Sequence, residues 1–425
     1  MRWRKARLPG WPFPNRSAVQ QERAPLARDL RPVIPGIRRR KPRSVPRVML
    51  VQPGARHNYA LARFLNRHDM LQRLYTDFAL GTGHPFRRLS HLPLPAGVKA
   101  KLNRRATDAL PARMIRSGVN VALPGARRHT LRPPSARDVA ASDGFYLQYF
   151  TDGPELRARA PGKPIISDVF IVPGAYRAVD REVADFPDWG EAPTPPDLAR
   201  RYDTHSLAMF EQSDVLFCPS QAVIDDVTGY GAAFAQKCRL VPYGASLRAS
   251  VGTPEPGRVL FCGSLHLRKG VHYIRAAADM LRASHPHIRF VFAGGGSTVM
   301  RAKLVAPNVE LLGHLGKAEL MREFARADLF LFPSLAEGAA GTVLEAMASG
   351  LPIVATREGG VDFTDGTSGI VLPPRDPQAI ADAVVRIVED RALRAALSAG
   401  ATREAEAYSM AAWEARFIAA VSDVF

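Results

Sequence analysis

The stretch that decides the fold is residues 328–360, which read DLFLFPSLAEGAAGTVLEAMASGLPIVATREGG. Residues 328–332 form a short apolar run, which predicts a buried strand. Residues 341–349 predict a short helix, because a glycine and a proline follow it as stop signals. Residues 351–356 predict a second buried strand. Together these pieces form one βαβ unit of a parallel sheet, whose ligand position lies at the helix N-terminus, beyond the carboxyl end of the first strand.

The loop and the helix of this unit hold two carboxylates, Glu337 in the loop and Glu345 in the helix. Glu345 is flanked by apolar residues, and a carboxylate in such a helix needs a partner or a ligand. On these residues alone, Glu345 is either a helix acid that faces solvent or a ligand-binding group, and both interpretations stay open.

The complete pattern resembles the donor-sugar signature of retaining glycosyltransferases of the GT-B fold, glycosyltransferase family 4. It runs P-S-x-x-E-G-x-x-x-x-x-L-E-A-M-A-x-G-x-P-[IV]-V-A-T-x-x-G-G over residues 333–360, and paired glutamates at this spacing are a hallmark of that family. The resemblance implies an α/β protein with two Rossmann-like parallel-sheet domains facing a cleft and a C-terminal helix that crosses back. It also implies that Glu345 accepts hydrogen bonds from the nucleotide ribose and Glu337 from hydroxyls of the donor sugar.

Composition and turn signals divide the chain into four parts. We expect a basic, proline-rich extension at 1–46, an N-terminal acceptor-side domain at 47–250, a C-terminal nucleotide-sugar domain at 251–405 and a helix at 406–425 that packs back. The first part has no apolar periodicity and predicts disorder. A solvated tail, a basic arm for lipid or RNA, and a start site assigned too early all stay open for it.

The net positive charge of this chain, +18, comes from two segments. Residues 1–46 hold 13 basic and 2 acidic residues, residues 86–137 hold 12 and 1, and the rest holds 33 and 37. This distribution argues against nucleic-acid binding across the whole surface and indicates local contact with an anionic partner. Residues 98–119 resemble a pair of basic amphipathic helices, so 86–137 is either an insertion at an anionic membrane surface or an ordinary solvated insertion.

The cysteines and the hydropathy indicate a compartment. The three cysteines, Cys218, Cys238 and Cys262, form no C-x-x-C pair, so they predict buried thiols in a reducing compartment rather than disulfides or zinc ligands. No run of 18 apolar residues occurs, and the N-terminus lacks the apolar core of a secretory signal. We therefore expect a cytoplasmic protein, either free or peripheral on the inner face of a membrane.

The donor of such an enzyme leaves as a nucleoside diphosphate, so stabilising negative charge is the main catalytic task. Basic side chains in the loop after the second domain's first predicted strand and the free N–H groups of the 341–349 helix supply the means. We predict three catalytic residues: Lys269, Arg268 and Glu337. The predicted donor-binding residues, which share a place at a glycine turn or at the signature helix, are Glu345, Gly263, Ser264, Gly338, Gly341 and Thr342.

Some positions depart from the family pattern. Ser264 stands where the family often has arginine, which gives the other basic residues of that loop more of the phosphate charge. The predicted strand at 164–170 lacks the histidine that many members carry in the first domain. Its nearest polar residue, Asp168, is either an acceptor-side group or a buried structural one. Arg56 and His57, after the first predicted strand, face either the cleft or solvent.

The expected substrates are a UDP- or GDP-linked sugar and a glycan or lipid-linked acceptor. No D-x-D triplet occurs, so the sequence indicates no metal–diphosphate site, and we expect no metal, no bound cofactor and no nucleic-acid partner. The resemblance implies transfer with retention, in polysaccharide or glycolipid synthesis. Two other classes stay open: a catalytically idle GT-B scaffold and a GT-B sugar-nucleotide epimerase.

Overall fold

A computed structural model describes residues 45–84, 105–117, 133–148, 153–246 and 252–425, together with the single residues 99, 103 and 131. Two parallel sheets organise this part of the chain, one built from strands before residue 246 and one from strands after residue 252. The prediction of an α/β protein with two Rossmann-like parallel sheets is confirmed.

The first sheet belongs to the N-terminal half. The strands of this half are β1 Val48–Val51, β2 Leu71–Thr76, β3 Leu80–Thr82, β4 Ala106–Pro111, β5 Ile115–Ser117, β6 Gly144–Gln148, β7 Ile165–Asp168, β8 Val215–Cys218 and β9 Cys238–Leu240. Among the described residues, seven of them form a parallel sheet in the order β5-β2-β1-β6-β7-β8-β9, and β3 pairs with β4. Every residue of β1, β6, β7 and β8 is buried, as expected for a parallel sheet covered on both faces.

The second sheet positions the predicted donor site. Its strands are β10 Arg258–Cys262, β11 Arg289–Ala293, β12 Val309–Gly313, β13 Leu329–Phe332, β14 Ile353–Thr356 and β15 Gly369–Leu372. They run in the order β12-β11-β10-β13-β14-β15, so the strand order reverses at β10, which lies between β11 and β13. In such sheets the ligand crevice lies beyond the carboxyl ends of the strands at that reversal.

Helices connect the strands of both sheets. Those of the N-terminal half are α1 Ala60–Arg67, α2 Ala136–Ala141, α3 Gly153–Arg159, α4 Ala175–Asp185, α5 Pro196–Gln212 and α6 Gln221–Gly229. Those of the C-terminal half are α7 Val271–Leu281, α8 Thr298–Leu304, α9 Lys317–Arg326, α10 Gly341–Ala348, α11 Pro377–Glu389, α12 Arg391–Ala405 and α13 Met410–Ser422. Short 3₁₀ helices lie at Arg56–Tyr59, Ala112–Met114, Pro187–Trp189, Ala232–Lys237, Leu267–Lys269, Arg357–Gly359 and Glu406–Tyr408.

The last helix, α13, crosses back and packs on the N-terminal half. Its residues Trp413 and Phe417 are fully buried in the core of the first sheet. The Trp413 ring lies edge-on to Phe64 of α1, with 5.1 Å between ring centroids. At the surface, Arg67 Nε donates to Glu414 Oε1 at 2.8 Å. The crossing helix implied by the GT-B resemblance is therefore present.

Residues 106–117 correct one prediction. The sequence predicted basic amphipathic helices over 98–119, but this part forms β4 and β5, and β5 pairs with β2 in the first sheet. Leu110 and Ile115 are buried, so their side chains fill the protein core. The prediction was wrong here because the same apolar residues satisfy a strand once a neighbouring strand pairs with it.

The other basic residues that carried the membrane prediction lie mostly outside the described residues, as does the extension at 1–44. Among the helices that the structure describes, none is long and apolar enough to cross a membrane.

Candidate active site

The carboxyl end of β10 brings the predicted donor-site residues together. Gly263 follows the strand directly, and Thr342 in the first turn of α10 donates from Oγ1 to the carbonyl of Cys262 at 3.4 Å. Burial raises the pKa of the Cys262 thiol to about 12, the charge of Glu345 adds to the rise, and the charge of Lys269 opposes it. Both charged groups therefore lie near the end of this strand.

Glu337 pairs with both cations of the loop. Its Oε1 contacts Lys269 Nζ and Arg268 Nη1. The exposed fractions of these side chains are 15% for Glu337, 11% for Lys269 and 30% for Arg268. Burial lowers the pKa of Lys269, and the charge and hydrogen bond of Glu337 oppose that shift. One carboxylate for two cations leaves the loop with net positive charge, which suits a diphosphate.

The turn that carries these cations, residues 267–270 (the cation turn), is fixed against the loop at residues 333–340 (the signature loop). The Arg268 carbonyl accepts from Leu335 N at 2.8 Å and from Ser334 Oγ at 3.3 Å. The turn ends at Gly270, whose φ of +69° is in the left-handed region, and a Cβ there would overlap the carbonyl oxygen of Pro333. Glycine is therefore required at this close approach.

Glu337 retains hydrogen-bonding capacity. Its Oε2 makes no hydrogen bond with any residue that the structure describes, whereas Oε1 is held by the two cations. A carboxylate offers about four lone-pair sites, so Oε2 can accept from a hydroxyl group that enters the cleft.

Glu345 lies on the other side of the β10 end. Its side chain is 29% exposed, and its Oε1 lies 4.0 Å from Lys317 Nζ at the start of α9. Burial raises the pKa of Glu345, and Lys317 opposes the rise. Within the described part of the chain, this loose ion pair is the partner found for the carboxylate, so it can accept hydrogen bonds from a ligand. Lys317 was not predicted as a site residue, because the two residues meet only through the fold.

The first turn of α10 faces open space. Gly341 is exposed, and a Cβ added there would meet no atom within 4 Å. The preceding residue, Ala340, supplies no side-chain cap. Val343 N donates to the Ala340 carbonyl at 3.0 Å. The N–H groups of Gly341 and Thr342, in contrast, have no acceptor among the described residues and can bind an anion. Ser264, after the end of β10, is also exposed.

The signature loop touches the N-terminal half at Gly338. Its carbonyl accepts from Ser220 Oγ at 2.8 Å, and a Cβ on Gly338 would overlap the carbonyl oxygen of Phe170. The Arg56 guanidinium lies 3.7 Å from the centroid of the Phe170 ring. Among the described residues no carboxylate forms an ion pair with Arg56. The cleft therefore receives positive charge from the N-terminal half as well.

Asp168 lies at the end of β7, near enough to Arg56 for the two charges to interact. It is 1% exposed, accepts from Tyr243 Oη, and lies 3.4 Å from Gln148 Nε2. Burial raises the pKa of Asp168 to about 6, although these hydrogen bonds and the charge of Arg56 oppose the rise. His57 is exposed in part, and its ring packs edge-on to Tyr243. Burial of the ring and the charge of Arg56 lower the pKa of His57 to about 4.

Sequence reasoning missed the residues through which the N-terminal half reaches the signature loop. Phe170 and Ser220 contact Gly338 from more than a hundred positions away in the chain. The available signal was weak: Phe170 is the last residue of the strand predicted at 164–170, and the carboxyl ends of strands are where the sheets of this class face their ligands.

Comparison with known proteins agrees with this geometry. Residues 256–390, which contain β10, the cation turn and both glutamates, match the family described as Glycosyl transferases group 1. The match covers less than half of the chain, so it characterises the second sheet and its loops.

The relatives with assigned activities match about half of the chain. D-inositol 3-phosphate glycosyltransferase of Corynebacterium urealyticum is 32% identical over 236 residues, which cover 48% of this chain and 54% of the relative. Sulfoquinovosyl transferase SQD2 of Arabidopsis thaliana is 28% identical over 217 residues, which cover 46% of this chain and 42% of the relative. The chain spans about half the length of the curated relatives it matches.

Solved structures extend the likeness to both halves. Sucrose-phosphate synthase from Thermosynechococcus elongatus has a TM-score of 0.60 at 15% identity, covering 89% of this chain and 99% of that one. HepE of Anabaena, in complex with UDP-glucose, has a TM-score of 0.57 at 15% identity and the same coverage. At such identity the likeness concerns the fold, and the GT-B fold predicted from the sequence is confirmed.

Proposed function

We propose that this protein is a retaining glycosyltransferase of the family 4 type, which moves a sugar from a nucleoside diphosphate to a hydroxyl of a glycan or lipid-linked acceptor. The observation that carries the proposal is the convergence of Lys269, Arg268, Glu337 and Glu345 around the end of β10 and the start of α10. The names of the relatives and the UDP-glucose complex of HepE support it. They also make UDP-sugars the first donors to test, ahead of GDP-sugars.

Each group has a distinct role in this proposal. Glu345 accepts hydrogen bonds from the nucleotide ribose, and the free Oε2 of Glu337 accepts from a sugar hydroxyl. The diphosphate lies between the first N–H groups of α10 and the cations Lys269 and Arg268. Losing one preorganised donor of this kind costs about 2.7–4 kcal/mol of transition-state stabilisation, whereas a helix dipole contributes about 0.3–2 kcal/mol. We therefore assign the larger share to Lys269.

The transfer itself breaks the bond between the anomeric carbon and the leaving phosphate oxygen. The acceptor hydroxyl oxygen forms the new bond on the same face of the sugar, and its proton passes to the departing phosphate oxygen. The diphosphate gains negative charge as the bond breaks, so positive charge fixed beside it lowers the barrier. In this proposal Lys269 and Arg268 carry that charge without a metal ion, and chelation with EDTA should leave the rate unchanged.

An idle GT-B scaffold and a sugar-nucleotide epimerase are the alternatives. A scaffold gains nothing from two cations held largely out of water around one carboxylate, because desolvating charges is costly. Release of free sugar nucleotide with inverted configuration, and no transfer to any acceptor, would favour the epimerase.

We also propose that the enzyme acts in the cytoplasm, at the inner membrane face, where basic residues of 86–137 outside the paired strands β4 and β5 contact anionic lipid during polysaccharide or glycolipid synthesis. Co-sedimentation with vesicles tests this. Binding that requires anionic lipid and weakens at high salt supports it, and equal recovery with neutral vesicles contradicts it.

The test of the proposed function is UDP-sugar turnover followed by proton NMR, which reports the anomeric configuration of the product. We expect a retained configuration in wild type, a fall of about 10²–10³-fold in turnover for Lys269→Ala, and weaker nucleotide binding for Glu345→Ala. The exposed Lys303→Ala is the control for lost charge. Wild-type kinetics in both site variants would remove the site assignment.

A further inference from the structure

One segment of the N-terminal half packs on the C-terminal half beside the cation turn. This docking segment, residues 175–191, comprises α4, the 3₁₀ helix Pro187–Trp189 and the two residues that follow. Val183 is buried in the core of the second sheet rather than the first. The rings of Phe186 and Trp189 pack on His272 of α7, with centroid distances of 4.4 and 5.7 Å.

A buried carboxylate anchors the docking segment. Glu182 is fully buried and accepts from Tyr273 Oη at 2.7 Å and from Arg375 Nε at 2.6 Å. His272 Nε2 lies 2.9 Å from the same carboxylate. These three partners belong to the C-terminal half, so Glu182 ties the two halves together. Removing one partner of a buried charge of this kind is strongly destabilising.

The last residue of the segment, Glu191, reaches the cation turn itself. Its Oε1 accepts from Leu267 N at 2.8 Å and lies 3.3 Å from His266 Nδ1. Leu267 is the first residue of the 3₁₀ helix Leu267–Lys269, and the residue at its N-cap position, His266, makes no side-chain cap. Glu191 therefore supplies the missing cap from the other half of the molecule.

The cation turn thus has two supports from different halves of the protein. The signature loop holds its far side through the Arg268 carbonyl and Gly270. Glu191 holds its near side through the Leu267 N–H. Arg268 and Lys269 lie between the two supports, so loss of either one frees their backbone to move away from the diphosphate position.

We propose that Glu191 is a positioning residue that holds the Arg268–Lys269 turn toward the donor diphosphate, so that docking of the N-terminal half completes the donor site. This inference rests on the proposed function, because it assigns the turn to diphosphate binding. It adds a residue from the acceptor-side half to a site whose predicted residues all come from the other half.

The test compares three variants with wild type, using calorimetric titration of UDP and of uridine, which lacks the phosphates. Glu191→Ala removes the cap, Glu191→Gln keeps an oxygen that can accept from Leu267 N, and Asp188→Asn is the matched control. Asp188 lies in the same docking segment and pairs with Lys303 of the other half, but among the described residues no hydrogen bond or ion pair joins it to the turn. Amide hydrogen exchange over residues 264–270 is measured in parallel.

We expect Glu191→Ala to weaken UDP binding about tenfold, which corresponds to about 1.4 kcal/mol, and to leave uridine binding within about twofold. Exchange at residues 267–270 should accelerate in this variant, because the cap no longer holds the turn. Glu191→Gln should restore most of both properties, and Asp188→Asn should match wild type. A merely structural role would weaken UDP and uridine alike.

The inference is overturned if Glu191→Ala shows wild-type UDP affinity and wild-type exchange. It is also overturned if Glu191→Ala and Asp188→Asn have the same UDP affinity and the same exchange rates. If Glu191→Ala does not fold, Glu191→Asp replaces it, because the shorter side chain keeps the charge but withdraws the carboxylate from Leu267 N. If wild type binds no nucleoside diphosphate, the proposed function fails. The exchange data then still decide whether Glu191 supports the turn.

Discussion

Glu337 contacts both cations of the cation turn, and in the proposed function it also contacts the donor sugar. Its carboxylate pairs with both Lys269 and Arg268, and in the proposed donor complex it would compete with the diphosphate for them. We predict that Glu337→Gln binds UDP more tightly than wild type but transfers sugar more slowly, because the sugar loses an acceptor. Calorimetry with UDP and initial rates with the UDP-sugar measure the two effects. Weaker UDP binding together with slower transfer would show that Glu337 supports the cations rather than competing for them.

Asp168 makes stability depend on pH. Its pKa in the folded protein is about 6, above its value of 3.8 in a model peptide, so the folded state binds the proton more tightly. The stabilisation is complete below pH 3.8 and is lost as the pH rises through 6. We predict that Asp168→Asn removes a fall in the free energy of unfolding between pH 4 and 7, on the order of 2 kcal/mol.

Urea denaturation of wild type and Asp168→Asn at pH 4.5 and pH 7 measures this difference. The exposed Asp423→Asn serves as the control for removal of a carboxylate. An identical pH dependence in wild type and Asp168→Asn would show that Asp168 is not the titrating group.

At the scale of elements, the glycines of the signature loop and of α10 differ in what surrounds them. A Cβ at Gly341 meets open space, whereas a Cβ at Gly338 would overlap the Phe170 carbonyl. We predict that Gly341→Ala keeps or raises the melting temperature, because alanine favours helices by about 1 kcal/mol over glycine, and yet weakens UDP binding by obstructing the helix N-terminus. Gly338→Ala should lower the melting temperature.

Thermal unfolding and UDP titration of these two variants separate the effects. Unchanged UDP affinity in Gly341→Ala would place the diphosphate away from α10. A Gly338→Ala protein as stable as wild type would mean that the signature loop does not pack tightly on Phe170.

The sequence predicted elements well where a short apolar run is bounded by glycine or proline. Strands β10, β13 and β14 are such runs, and their length and flanking residues favour a strand over a helix. At residues 106–117 the pattern suited both a helix and a strand, and pairing with β2 and β3 decided between them. Local propensity does not contain that information.

At the scale of the whole molecule, α13 joins the two halves. Trp413 is fully buried and packs edge-on to Phe64, but within the described residues its Nε1 has no hydrogen-bond partner. We predict that Trp413→Ala lowers the free energy of unfolding by about 3–5 kcal/mol. Trp413→Phe should lose less, because it keeps a ring and breaks no hydrogen bond. Chemical denaturation of both variants measures this, and equal losses would contradict the packing account.

Contacts between the two halves also decide which site residues could be predicted from the sequence. Glu337 and Glu345 were identified because a contiguous stretch resembles a known signature. Glu182 and Glu191 were not, since their partners lie about 75 to 193 positions away. A single chain without its fold gives no sign that acids on α4 and after it contact the other half, since contacts across halves follow from tertiary packing.

The measurement that tests the central claim most directly is calorimetric titration of UDP, GDP and ADP into wild type and Glu345→Ala, with the exposed Asp423→Asn as control. We predict that one nucleotide, with UDP expected first, binds wild type and the control with equal affinity. Glu345→Ala should weaken the affinity for that nucleotide by about tenfold or more. Absence of binding by all three nucleotides in wild type, or equal affinity in Glu345→Ala, would contradict a donor site at the end of β10.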